Sequence, residues 1–292
     1  MAKEASDFSR IQERLAAFTA EVWEHHRLSR RDLPWRRTHD PYEILVSEIM
    51  LQQTQVARVL EKWPLFLAAF PTPAALAEAP VGDVLAVWQG LGYNRRALAL
   101  HRAAAVIMAE HGGQVPRELD ALRRLPGVGA ATAAALSAFA FGRAEPFIET
   151  NIRAAFIHFF FAGRDNVPDA DILPLVEQTM DRDDPREWFY ALMDYGVWVK
   201  REFENPSRRS KHHAVQPPFA GSRREARAQV LQVLLAVAPK AAEAPDVQAM
   251  LPEPGRDLEE VAPLLDDLVR EGFLERKGAA YRISSSQSSS SS

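Results

Sequence analysis

In the run Ser47-Glu48-Ile49-Met50-Leu51-Gln52-Gln53-Thr54-Gln55-Val56, Glu48 lies four residues after Ile44 and three before Leu51, inside the apolar stripe of its own helix. A helical glutamate at the edge of such a stripe ordinarily reaches water. One drawn into a partly desolvated site instead holds its proton more tightly and can deliver it to a leaving group. A second carboxylate, Glu149, stands where the apolar approach Phe147-Ile148 meets a new helix starting Thr150-Asn151-Ile152-Arg153. The positive end of that helix favours an anion there, and plain charge complementarity is the alternative reading. One proton donor and one standing anion are the pair that cleavage of a glycosidic bond requires.

Between them lies Leu125-Pro126-Gly127-Val128-Gly129, flanked by helical patterns over 117–124 and 130–141. Two glycines let the backbone turn sharply and approach a ligand, while the following helix directs free N–H groups outward as a seat for a phosphate. This is a helix-hairpin-helix signal. A glycine C-cap between two packed helices uses the same backbone chemistry, and the five residues alone leave both readings open.

The elements that must carry these groups are nearly all helical. Phe8, Ile11, Leu15, Phe18, Val22 and Trp23 recur at three- and four-residue steps, and Asp40-Pro41-Tyr42-Glu43 and Asp184-Pro185-Arg186-Glu187 are helix entries with an N-cap Asp and a first-turn Pro. Further helical segments are expected near 54–69, 81–89, 94–111, 151–161 and 169–180. Phe156, Phe159, Phe160 and Phe161 at helical spacing are core candidates. The pattern predicts helices near 222–238, 246–251 and 258–271, then two short strands around Gly278, which is a winged-helix arrangement. The expected domains are therefore 1–204, all-α; a basic linker over 205–221; a winged-helix-like domain over 222–284; and a disordered serine tail from 285.

Composition sets the limits. The 292 residues carry a net charge of −4, so DNA contact must be local, and residues 200–227 concentrate eight basic side chains against three acidic ones. With no cysteine, the chain has no disulfide, thiol nucleophile or cysteine-held cluster. The adjacent pairs His25-His26 and His212-His213 do not share a helix face as ligands at i and i+4 would, so no metal site is expected. No apolar run is long enough to span a membrane and MAKEASDF is no signal peptide, which makes the cytoplasm the expected location.

The run SEIMLQQTQV, with Pro34-Trp35-Arg36 before it and Gly90-Leu91-Gly92-Tyr93 and LPGVG after it, resembles adenine DNA glycosylases of the MutY type, in the helix-hairpin-helix (HhH-GPD) superfamily that includes endonuclease III. The resemblance covers roughly residues 10–200. It implies two helical subdomains flanking a cleft. Glu48 would protonate the flipped adenine, with Trp35, Arg36 and Leu51 lining the base pocket. Gln53 and Tyr93 would wedge into the base stack near the opposing base. Asn151 matches an active-site Asn, and Glu149 falls where the family has the Asp that stabilises the cationic sugar. Leu125, Pro126, Gly127, Val128 and Gly129 would bind backbone phosphate.

The chain departs from that family pattern in three places. Glu149 is one methylene longer than the family Asp. The family's four-cysteine iron–sulfur loop, due near Lys200, has no cysteine, so no cofactor is expected, and Arg208, Arg209 and Lys211 are candidates to supply its phosphate contacts. The family's C-terminal domain, which resembles Nudix hydrolases, is replaced by the winged-helix pattern, a candidate for contact with DNA or with a protein. Bifunctional relatives carry an amine nucleophile two residues after the last hairpin glycine, where this chain has Ala131. The expectation is thus a monomeric, monofunctional base-excision-repair glycosylase acting on double-stranded DNA at adenine opposite 8-oxoguanine or guanine. The alternatives are a thymine or uracil mismatch glycosylase and a non-catalytic DNA-binding protein on the same scaffold.

Overall fold

The computed structural model describes residues 2–252 and 256–285, with side chains from residue 9 onward; 286–292, most of the serine tail, lie outside the described residues. In chain order the helices are α1 (Ala2–Ser29), α2 (Pro41–Leu51), α3 (Val56–Ala69), α4 (Pro73–Glu78), α5 (Val81–Trp88), α6 (Arg95–Glu110) and α7 (Leu119–Arg124). They continue with α8 (Ala130–Phe141), α9 (Thr150–Phe160), α10 (Asp169–Thr179), α11 (Pro185–Glu202), α12 (Arg223–Val237), α13 (Ala244–Ala249) and α14 (Leu258–Glu271). Strands β1 (Ala242–Glu243), β2 (Leu274–Lys277) and β3 (Ala280–Ile283) form one antiparallel sheet in the order β1-β3-β2. No described helix is long and apolar enough to cross a membrane.

Two compact units emerge, and they are not consecutive in sequence. The first comprises Met1–Glu48, Arg117–Arg124 and Val128–Val215; the second comprises Ile49–Pro116, Leu125–Gly127 and Gln216–Ser292. The division falls inside α2, between Glu48 and Ile49.

In the first unit α9 packs along α11. A Cβ on Gly196 would lie 2.0 Å from the Asn151 carbonyl oxygen, so only glycine allows α11 to come this close to the start of α9. Phe18 of α1 closes the far end of α9, its ring centroid 4.7 Å from that of Phe156 and 5.1 and 5.2 Å from those of Phe159 and Phe160. Phe156 is fully buried while Phe159, Phe160 and Phe161 are half-buried, so the expected aromatic core is graded toward the surface.

Residues 205–211, expected as linker, are folded into this unit. Asn205 caps a 3-10 turn, Pro206–Arg209, by accepting from the Ser207 amide at 3.1 Å; Ser207 and Ser210 are buried, and Val167 and Ser210 form a parallel bridge. Proline and charge made the segment look like a tether, whereas Asx capping and two buried serines tie it down.

In the second unit Trp88, Phe66 and Leu76 are buried among α3 to α6, and the winged-helix elements pack on the same unit. Glu271, at the end of α14, accepts from Arg95 at 2.6 and 2.8 Å and from Arg227 at 2.5 Å, while its backbone carbonyl accepts from Arg102 at 2.8 Å. Gly272 ends the helix at φ +88°, and a Cβ on it would meet the Arg102 guanidinium at 2.5 Å. The expected two-stranded hairpin gains β1 as a third strand, through Ala242 opposite Tyr281.

Candidate active site

Within the first unit, α2 begins as the sequence requires, with the Asp40 carboxylate accepting from the Tyr42 and Glu43 amides at 2.8 and 3.3 Å. Two turns on, Glu48 sits half-buried, and Ile44 and Leu45 beside it are fully packed away from solvent. Glu48 has no hydrogen-bond or ion-pair partner among the described residues. Burial and the nearby charge of Glu149 push its carboxyl up to about 8, against the lowering effect of Arg36. It is a protonated acid at neutral pH.

Glu149 is the N-cap of α9. One carboxylate oxygen accepts from the Asn151 and Ile152 amides at 2.8 and 2.9 Å, and the other from the Asn151 side-chain Nδ2 at 3.0 Å. All three partners are donors, so the group is held as an acceptor at a helix N-terminus. The extra methylene relative to Asp is taken up in reaching back to these amides. Asn151 is turned by the same contact, leaving its buried Oδ1 without a partner among the described residues.

Arg36 belongs to the 3-10 turn Pro34–Arg36, and both its terminal guanidinium nitrogens bond to Asp194 at 2.8 Å while it lies 4.4 Å above the Tyr190 ring. Burial drives Asp194 upward, but the hydrogen bonds and charge of Arg36, reinforced by Arg31, bring it below the usual carboxylate range. Arg36 is therefore committed to an internal ion pair and acts on Glu48 through its field. Trp35 in the same turn is 3% exposed. Sequence reasoning missed Asp194 and also Lys200. The latter is a half-buried ammonium lowered by burial against the raising effect of Glu149.

Arg209, expected to contact DNA, points inward instead. Its Nη1 donates to the Phe161 carbonyl at 2.6 Å and to that of Arg164 at 3.4 Å, closing the C-terminal end of α9. Arg208 and Lys211 on either side are exposed. In the loop between α7 and α8, Gly127 is at φ +80°, where a Cβ would lie 2.9 Å from that of Ala99, and α8 starts from Gly129, which is extended and offers no side-chain cap.

The wedge candidates lie in the second unit. Gln53 and Tyr93 both adopt the left-handed backbone region, at φ +55° and +49°, and both are exposed, with Leu51 half-buried nearby in sequence. A buried arginine that the sequence did not single out organises them. Arg96 donates from Nη1 to the carbonyls of Ile49 (3.0 Å), Met50 (2.7 Å) and Gln52, and from Nη2 to Thr54 Oγ1 (2.8 Å), Leu91 O (3.2 Å) and Gly92 O (3.0 Å). One guanidinium thus caps the end of α2 and ties the turn carrying Gln53 to the loop carrying Tyr93. Burial lowers it to about 10.

The first unit thus holds a carboxyl raised by burial, Glu48, and a carboxylate bound by donors at a helix N-terminus, Glu149. Residues 46–172 match the profile of the HhH-GPD superfamily base excision DNA repair proteins. Among the chain's relatives is the adenine DNA glycosylase of Mycobacterium tuberculosis, 45% identical over 178 residues that cover 59% of this chain and 58% of the relative. The human adenine DNA glycosylase is 33% identical over 197 residues, covering 63% of this chain and 36% of its own. The chain thus spans less than two thirds of the length of these relatives. A solved thermostable thymine-DNA glycosylase superposes with a TM-score of 0.59 at 28% identity, over 64% of this chain and 88% of that one.

Proposed function

We propose that the protein is a monofunctional DNA glycosylase that removes adenine mispaired with 8-oxoguanine or guanine. The observation that carries this reading is the pair in the first unit: Glu48, protonated near neutrality, beside a donor-held Glu149 whose charge helps keep it so. In the reaction, the target base is rotated out of the duplex and Glu48 gives its proton to a ring nitrogen of that base. The C–N bond breaks, the electron pair leaves with the now neutral base, and the positive charge remaining on the sugar faces Glu149. Water adds to that carbon and releases a proton, leaving an abasic site. Ala131, where lyases have an amine, supports hydrolysis without strand cleavage.

Similarity at 45% identity to adenine DNA glycosylases favours adenine over thymine, for which the likeness is 28%. Single-turnover excision from duplexes containing A:8-oxoG, A:G, T:G and U:G pairs tests the assignment. Adenine release from the first two is expected. Thymine or uracil release without adenine release would replace the substrate, and inactivity on all four would leave only a DNA-binding role.

The DNA interface follows the hairpin loop and the exposed cations of the 205–211 segment. Replacing Arg208 and Lys211 together with Ala should flatten the dependence of log affinity on log salt by roughly one unit for each phosphate that these side chains neutralise. Arg209 is left in place because it closes α9. A slope identical to that of the parent protein would remove these two residues from the interface.

A further inference from the structure

Between the end of α1 and the 3-10 turn Pro34–Arg36, the chain places Arg30, Arg31, Asp32, Arg36 and Arg37 around one cavity of about 280 Å³ in the first unit. Two carboxylates of α11 hold three of these arginines in position. Asp194, 2% exposed, accepts from Arg31 Nε at 2.5 Å and from both terminal nitrogens of Arg36 at 2.8 Å, and Glu187 accepts from Arg30 at 2.9 Å. Arg37 pairs with Asp32 beside it.

Four guanidinium groups are thus matched by three carboxylates, which leaves one positive charge uncompensated among these residues. The donors are in larger excess. Both terminal nitrogens of Arg31, one of Arg30 and one of Arg37 make no hydrogen bond among the described residues, and the Nε of Arg36 is buried without a partner. Asp194 and Asp32 already have both oxygens engaged. A cavity rich in unused donors and short of acceptors calls for a ligand that brings acceptors and negative charge.

Fold stability does not account for the arrangement. One arginine would satisfy Asp194, an exposed pair such as that of Arg37 with Asp32 contributes little, and gathering four like charges within eight residues is itself repulsive. Arginine forks converging from several side chains match the oxygens of a phosphate group, whereas a single fork already fills a planar carboxylate. The volume takes one phosphate group with a few waters.

We infer that this cavity is a phosphate-binding site, and that the phosphate it takes belongs to the DNA backbone near the nucleotide on which Glu48 acts. The backbone as source rests on the glycosylase reading above; the chemistry of the cavity does not. Arg36 links the two places, since it lines the cavity while its charge reaches Glu48. The site is a further contact, apart from the hairpin loop and from Arg208 and Lys211.

The test compares the parent protein with Arg30→Ala, Arg37→Ala, the double variant and, as a control, Arg182→Ala. All three residues are exposed, so their loss spares the fold, and Arg182 belongs to the same unit but not to the cavity. Two quantities are read, neither of which needs catalysis: the affinity for pyrophosphate at constant ionic strength, and the slope of log affinity against log salt for a duplex carrying an abasic-site analogue. In the double variant pyrophosphate should bind about tenfold more weakly and the slope should fall by roughly one unit, with the control unchanged in both. A tenfold loss for pyrophosphate with an unchanged slope would overturn the backbone assignment and leave a site for a free phosphate compound. No pyrophosphate binding by the parent, variants that bind it as the parent does, or losses as large in the Arg182 control would overturn the site itself. A parent that binds the duplex but releases no adenine from any mispair would remove the glycosylase reading and leave the phosphate site standing.

Discussion

Exchange of Glu48 for Gln is expected to slow base release by about three orders of magnitude while making the protein more stable at neutral pH. The rate effect follows from losing the protonated carboxyl placed beside Glu149, and general-acid contributions run to roughly 10²–10⁴-fold. The stability effect follows from the raised carboxyl. An unfolded chain releases this proton near the ordinary value of 4.5, whereas the folded protein keeps it up to about 8. Across that window the folded state binds the extra proton, so stability falls as pH rises. Gln carries no such penalty. Discounted for partial exposure, the gain near pH 7 is on the order of 2 kcal/mol. The parent's excision rate should also decline as pH climbs through about 8, the point at which Glu48 empties. Single-turnover rates and thermal melts over a pH series read both effects. A Gln variant that is inactive yet shows the parent's pH–stability curve would mean that Glu48 is not held as an acid.

Replacing Arg96 with Met should cost about 4 kcal/mol, visible as a fall in melting temperature on the order of 10 °C. Methionine fills a similar volume but leaves the carbonyls of Ile49 and Met50 without the guanidinium donor, while Leu91 O and Gly92 O keep only Thr54 Oγ1 and Trp88 Nε1. Each buried acceptor so orphaned costs roughly 1–3 kcal/mol, less whatever water can reach. The same change frees the turns of Gln53 and Tyr93 to leave the left-handed region. Lysine, a point charge without the fork, should recover only part of the loss. A Met variant melting within a degree or two of the parent would show that the Arg96 bonds are not what holds these loops.

Local chemistry wrote much of this into the sequence. Asp40 and Asp184 cap the helices they precede, Gly127 of the hairpin loop takes the left-handed turn while Gly129 is merely extended, and Glu48 could be singled out because it interrupts an apolar stripe. What could not be read is pairing across the chain. Asp194 and Arg36 are far apart in sequence, and nothing in the helical period of α11 distinguishes a buried aspartate bound for an ion pair from one facing water. Arg96 follows another arginine at the start of an ordinary amphipathic helix, where a solvated side chain is the default. The reach of Glu149 back to its own helix depends on backbone angles, which residue type alone does not fix.

The bonding of Glu271 to Arg95, Arg102 and Arg227 bears on any attempt to shorten this protein. Val215, the last residue of the first unit, would be the natural place to cut for a minimal fragment. A chain ending there would lose the acceptors that hold Arg95 and Arg102 and the cover over Leu98, leaving a face on α6 with two unpaired cations around an uncovered leucine. The described residues after Val215 have to be counted as part of the scaffold of the second unit, and a shortened protein must keep them.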